Sequence, residues 1–136
     1  MDTKFSVALH SLIYIAKTDK VPSSENLAQS VNTNASHIRK ITGLLKQAGI
    51  LASHQGKSGF YLTKSPEDMT LKDIYQAVYP DKVLLHVHGD TNQDCPVGQR
   101  VVTLLTPIFA QAEDSLLSQL DAKTLADLIS EMYTIN

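Results

Sequence analysis

The feature that most constrains this chain is a three-residue polar break, Asn32-Thr33-Asn34, set between two segments of helical periodicity. Before it, Pro22-Ser23-Ser24-Glu25 supplies a hydroxyl able to cap free backbone N–H groups and an acid for the first turn, ahead of Leu27, Ala28 and Val31. After it, Asn34 can cap a helix whose buried stripe is Ile38, Ile41, Leu44, Leu45 and Ala48. Gly49 follows, the residue that most easily takes the left-handed position ending a helix. Two helices of about eight and fourteen residues joined this tightly have the dimensions of a helix-turn-helix.

The flanking segments complete the pattern. Phe5, Ala8, Leu9, Leu12, Ile13 and Ala16 form an earlier helical stripe. Ile50-Leu51-Ala52-Ser53 and Phe60-Tyr61-Leu62-Thr63 read as short strands around a polar loop with two glycines, Gly56 and Gly59. A hairpin directly after a recognition-type helix is a wing. Thr70 and Asp73 then stand at capping-box spacing for a fourth helix, and Thr124 with Asp127 repeats the spacing for a last short one ending near Tyr133.

Residues 80–94 mix the β-like run Val83-Leu84-Leu85-His86-Val87-His88 with polar residues and read as a connecting loop of low order. From Pro96 to Leu120 helical spacing returns. Val102, Leu105, Phe109, Ala112 and Leu116 make a seam, and Val101, Leu104, Ile108 and Leu117 widen the apolar surface beside it. A helix apolar on two sides has to bury two sides, and the economical second cover is its own copy across a two-fold axis. Pro107 predicts a kink, or a break with Thr106 capping a second segment.

Charge is divided unevenly. Residues 1–64 hold seven lysines and Arg39 against Asp2, Asp19 and Glu25, a net +5, whereas residues 65–136 hold four cations against eleven carboxylates, a net −7. A basic half suits a polyanion, and the acidic half faces something else. The single cysteine, Cys95, excludes an internal disulfide and a thiolate-rich metal site. The longest apolar run, Leu12-Ile13-Tyr14-Ile15-Ala16, is far below the roughly 18 residues of a membrane span, and the opening Met1-Asp2-Thr3-Lys4 is unlike a signal peptide, so a cytoplasmic protein with no membrane partner is expected.

Ser24-Glu25-Asn26-Leu27-Ala28, the segment Ser36-His37-Ile38-Arg39-Lys40-Ile41 with Leu44-Leu45-Lys46-Gln47-Ala48-Gly49-Ile50-Leu51, and the wing Ser53-His54-Gln55-Gly56-Lys57-Ser58-Gly59-Phe60-Tyr61-Leu62 follow one another in a specific order. With Cys95-Pro96-Val97-Gly98 and Thr124-Leu125-Ala126-Asp127-Leu128, this order resembles the Rrf2 family of winged-helix transcription regulators, which includes IscR, NsrR and CymR, over nearly the whole chain.

The resemblance implies a mainly α fold with a small β-wing: a winged helix-turn-helix domain over residues 1–79, a connecting or sensor loop over 80–97, and a long dimerisation helix with a C-terminal helix over 98–136. It implies a homodimeric bacterial regulator, nucleoid-associated, that binds double-stranded DNA at a palindromic operator, most simply as a repressor. In that context Ser36, His37 and Lys40 face base edges in the major groove and Asn34 and Arg39 face phosphates, with Gln55, Lys57 and Ser58 on the wing. The plain alternative for these residues is a solvated helix face with its cap.

Two departures from the family pattern stand out. Gln55 occupies a wing position where relatives commonly carry an arginine for the minor groove, and Lys57 offers only a point charge nearby. Cluster-binding relatives carry three cysteines and a further ligand before the long helix. Here Cys95 stands alone and Gly98 replaces a histidine ligand of some relatives, so no iron–sulfur cofactor is expected.

Cys95 before Pro96 would feel the N-terminus of a helix, which favours a reactive thiolate, against the adjacent Asp94 and against plain packing. It is the sensor candidate; an effector, if any, is otherwise unidentified. His86, His88, Asp90, Asp94 and Cys95 lack established ligand spacing, and no metal site is assigned. No nucleophile elbow, phosphate loop or zinc-protease helix is present, which argues against an enzyme. The competing reading is a winged-helix module acting through a partner protein, favoured by Gln55 and opposed by the +5 half.

Overall fold

A computed structural model describes residues 2–54 and 59–135. The elements run α1 (Lys4–Lys17), α2 (Ser24–Val31), α3 (Ala35–Gln47), β1 (Leu51–Ser53), β2 (Phe60–Leu62), a 3-10 turn (Pro66–Asp68), α4 (Leu71–Val78), α5 (Val101–Asp121) and α6 (Leu125–Met132). The architecture is the expected one, mainly helical with a two-stranded wing.

Local chemistry sets most boundaries. Ser23 Oγ accepts the Asn26 amide while the Asn26 side chain accepts the Ser23 amide, a reciprocal cap on α2. Asn32 ends that helix in the left-handed region, φ 64°, and Asn34 Oδ1 takes the His37 amide at 2.8 Å to begin α3. The three-residue break is thus two caps back to back. Gly49, at φ 78°, turns the chain out of α3 into β1.

The hairpin is antiparallel, pairing Leu51 with Leu62, Ala52 with Tyr61 and Ser53 with Phe60. Alternation turns Tyr61 out and puts Leu51 and Phe60 on the buried face; Ser53, on the same face as its partner Phe60, is exposed at the strand end. The wing is fastened to the α1–α2 connection by the Phe60 amide, which donates to the Pro22 carbonyl at 3.0 Å. A Cβ at Gly59 would run into the Val21 side chain, so only glycine lets these strands approach that connection.

Leu12, Leu27, Ile38, Ile41, Leu45, Met69 and Ile74 are fully enclosed, and Leu125 of α6 joins them at 0% exposure. Placing the last helix with residues 98–136 does not anticipate this contact. The Leu71 amide donates to the Lys123 carbonyl at 2.9 Å and the Leu125 amide to the Met69 carbonyl at 2.8 Å, forming a bridge between Thr70 and Thr124. Both threonines cap helices, α4 with Asp73 and α6 with Asp127, so two capping boxes start side by side from one bridge.

Three sequence expectations need correction. In α3 the inward face includes Thr42, whose hydroxyl donates to the Ile38 carbonyl at 3.0 Å, while Ala48 is exposed beside Gly49. The long helix begins at Val101 rather than at Pro96, because residues 91–100 form a self-closed loop first. There the Thr91 hydroxyl donates to the Gly98 carbonyl at 2.6 Å and the Gln99 side chain to the Gln93 carbonyl at 2.6 Å. Finally, of the kink or break expected at Pro107 the break is absent: α5 runs unbroken, and Thr106 does not cap, its hydroxyl donating back to the Val102 carbonyl at 2.7 Å. Pro107 removes one backbone donor from the helix without ending it.

No residue of α5 is buried within the single chain. Val102, Leu105, Phe109 and Leu116 are half-buried, while Leu104 and Ile108 are 62% and 52% exposed. Among the described residues no helix is long and apolar enough to cross a membrane.

Candidate nucleic-acid interface

Helix α3 owes its orientation to its inner face: Ile38, Ile41, Thr42 and Leu45 are buried, which turns Ser36, Arg39, Lys40, Gly43 and Lys46 outward. His37 is half-buried at the first turn, and its amide is the one taken by the Asn34 cap. Asn34 therefore spends its carbonyl oxygen on the helix and keeps its amide N–H groups for another acceptor. Ser36 and Lys40 form no side-chain hydrogen bond among the described residues.

Gly43 sits in mid-helix on this outer face, where a Cβ would meet nothing within 4 Å. Glycine there costs helix stability without relieving any internal crowding. It leaves room for the helix backbone to approach something outside the chain.

A groove of about 420 Å³ runs between α2, α3 and the wing, lined by Glu25, Arg39, Gly43, Lys46, Ser53 and Phe60 among others. Arg39 Nη1 lies 3.7 Å from Glu25 Oε1, an exposed pair that ties the two helices of the motif loosely together. Lys46 Nζ stands 5.2 Å from the centre of the Phe60 ring, so the last turn of α3 meets the base of the wing through a cation over an aromatic face. Glu25 and Lys46 were absent from the sequence-derived set. Lys46 was legible in principle, since 39, 43 and 46 share one helical face.

The predicted wing residues Gln55, Lys57 and Ser58 lie outside the described residues. On the described part of the wing, His54 and Tyr61 stack with ring centres 4.8 Å apart.

Cys95 is not at the start of the long helix. It caps the turn before it: its carbonyl accepts the Gln99 amide at 2.9 Å, and the backbone N–H groups of Gly98 and then Val97 donate to the thiol and hold it below the ordinary thiol range. Gly98 is required there for space, as a Cβ would strike the Asn92 backbone. His86, His88, Asp90 and Asp94 do not gather around Cys95; among the described residues no three His, Cys, Asp or Glu side chains form a group that could hold a metal ion.

The model of a family described as Rrf2, iron-dependent transcriptional regulator, matches residues 1–131. The chain is 35% identical over 133 residues to YwnA of Bacillus subtilis (strain 168), a candidate HTH-type transcriptional regulator, covering 98% of this chain and 99% of that one. Its structure is similar to that of a candidate transcriptional regulator from Lactobacillus plantarum, with a TM-score of 0.80 and 30% identity, covering 98% of this chain and 91% of the other. It is also similar to CymR (YrzC), the global cysteine regulator of B. subtilis, with a TM-score of 0.68 and 25% identity over 96% and 95% of the two chains. The iron dependence in the family description meets a donor set here that does not fit it: one cysteine, with no converging partners among the described residues.

Proposed function

This chain belongs to the Rrf2 family of transcriptional regulators, not to an enzyme family, and from that premise we propose that it acts as a homodimer that binds a palindromic DNA operator and represses transcription. The observation carrying this reading is the outer face of α3. Ser36, Arg39, Lys40 and Lys46 are turned outward around a glycine, on a helix fixed from behind by a packed core. A helix so presented fits the major groove, with Ser36, His37 and Lys40 toward base edges and Asn34 and Arg39 toward phosphates. The wing, including Gln55, Lys57 and Ser58, lies along the adjoining backbone.

Dimerisation is supported by α5. Leu104 and Ile108 continue the half-buried seam of Val102, Leu105 and Phe109, and a second copy of the same helix is the natural cover. Within this reading residues 1–79 are the DNA-binding unit, 80–100 the connection and 101–121 the dimer helix, while α6 serves the DNA-binding unit through Leu125. Two copies bring a net charge of about +10 to the duplex side, in scale with the six to ten phosphate contacts of a typical operator complex. Half-sites are expected about 10–10.5 base pairs apart or a multiple of it.

Cys95 is the proposed point of chemical sensing, because its thiol is held as a better nucleophile by two backbone donors at the foot of the dimer helix. The second reading, a module acting through a partner protein, draws on Glu25, a carboxylate set against the recognition helix, and on Gln55 in the wing. Sedimentation of the chain and of Leu104→Asp, with duplex binding measured on both, separates the two. The DNA reading requires a dimer that binds duplex and a variant that loses both properties; a dimer without duplex affinity supports the partner-protein reading.

A further inference from the structure

A half-open cavity lies away from the proposed DNA face, where α4, the chain following it and α5 meet. It has a volume of about 280 Å³ and is lined by Tyr75, Tyr79, Asp81, Lys82, Glu113 and Leu117 among others. Tyr75 is only 9% exposed, and its hydroxyl has no hydrogen-bond partner among the described residues. Buried hydroxyls are normally satisfied, so this one, closed to solvent in the free chain, is left for a polar group that enters the junction and displaces the side chains covering it.

Glu113 reaches into the same junction from α5. Its Oε1 accepts the amides of Leu84 and Leu85, the latter at 3.0 Å, while its Oε2 accepts no hydrogen bond among the described residues. The wall opposite is aromatic: Tyr75 and Tyr79 have ring centres 5.2 Å apart at an angle of 59°. One of these rings already receives a cation, since Lys82 Nζ stands 4.2 Å from the centre of Tyr79. Asp81 and Glu113 outnumber that single lysine, which leaves the lining net negative. Burial, and next the Glu113 charge, push the Tyr75 phenol above its ordinary range, so it remains a neutral acceptor.

We propose that this junction is a binding site for a small organic cation, an amine or quaternary ammonium, held by the free oxygen of Glu113 and the hydroxyl and ring of Tyr75, beside the Tyr79 ring that Lys82 already faces. Carboxylate plus aromatic face is the chemistry that recognises such ions. The volume, about 280 Å³, falls just below the usual range of ligand pockets, about 300–1,000 Å³, which restricts the occupant to a small molecule. Because α4 belongs to the winged helix and α5 to the proposed dimer helix, an occupant fixes the angle between them. That regulatory consequence rests on the function proposed above; the binding itself does not.

The test uses the full-length chain with choline, its neutral carbon analogue in which a tert-butyl group replaces the trimethylammonium, n-butylammonium and butyrate, read by tyrosine fluorescence and thermal midpoint. At least one of the two cations should bind saturably and raise the midpoint, with no effect from the neutral analogue or butyrate. Tyr75→Phe removes only an unpartnered hydroxyl, and Glu113→Gln keeps an oxygen for Leu84 and Leu85, so both variants should fold. Each should weaken cation binding by about tenfold or more, roughly 1.4 kcal/mol. Absence of saturable binding by both cations, equal binding of the neutral analogue, or unchanged affinity in both variants would overturn the proposal. If cations bind and DNA affinity does not respond, the site stands and its regulatory role falls.

Discussion

Arg39 on α3 is held 3.7 Å from Glu25 in the first turn of α2, so a cation of the recognition helix faces a carboxylate before any duplex arrives. Both side chains are more than half exposed, and a pair of that kind contributes little to folding. If Arg39 meets DNA phosphates as proposed, they must compete with Glu25 for the same guanidinium. Glu25→Gln should therefore raise duplex affinity several-fold, most at low salt, while removing the favourable charge at the α2 N-terminus costs about 0.3–1 kcal/mol. Anisotropy titration and urea denaturation of the same variant check both halves; unchanged affinity would place Arg39 off the phosphates.

Gly43 offers a sharper separation of folding from binding. Nothing in the chain opposes a Cβ at this position, so Gly43→Ala should stabilise the free protein by about 1 kcal/mol. If the α3 backbone lies against DNA, the same methyl group should weaken duplex binding by about tenfold or more. A variant that is stabilised and binds as well as the parent would show that the glycine serves no contact.

Leu125 ties the end of the chain to its beginning. Leu125→Ala should cost about 2–5 kcal/mol, as for other fully enclosed leucines, and Thr124→Ala about 1 kcal/mol through loss of the cap. A chain ending at residue 121 should lose cooperative unfolding in its DNA-binding unit. Retention of the parent's denaturation midpoint by Leu125→Ala would contradict the packing of α6 against that core.

Cys95 carries a pH signature. The amides of Gly98 and Val97 favour its thiolate in the folded chain, so the folded thiol titrates below the unfolded one. The associated stability is present above the unfolded thiol's pKa and is lost as pH falls through the folded value. Iodoacetamide alkylation should accordingly reach half-maximal rate at a lower pH in native protein than in urea, and identical midpoints would remove the backbone donors from the thiol. Release from DNA by peroxide in the parent and not in Cys95→Ser is the matching functional result.

Asn34, Thr70 and Thr124 were readable from sequence because a cap depends on residues only three apart, and all three cap the helices expected of them; at the start of α2 the sequence offered a hydroxyl from Ser23-Ser24, and Ser23 is the one that caps. The outward face of α3 followed from the same periodicity. What escaped was set by contacts distant in sequence. Glu25 meets Arg39 only after the Asn32-to-Asn34 turn closes, Leu125 finds its pocket across the whole fold, and Tyr75 and Glu113 share a cavity although 38 positions separate them. Pro96 suggested a helix start, yet Gly98 fits against Asn92 and closes a loop first. The composition of residues 91–100 holds no signal for that fit, which depends on a backbone approach of a single residue.

The central claim is that the outer face of α3 reads DNA sequence. Genomic fragments retained by the protein supply a duplex, to be titrated beside a scrambled duplex of equal composition, at about 50 and 200 mM salt, with the parent chain and Lys40→Ala. The account predicts that the parent prefers the selected duplex by about 10³-fold or more, that both duplexes bind more weakly at the higher salt, and that Lys40→Ala loses about 1–3 kcal/mol of the preference. Equal affinity of the parent for the two duplexes, or a preference that Lys40→Ala leaves intact, would contradict it.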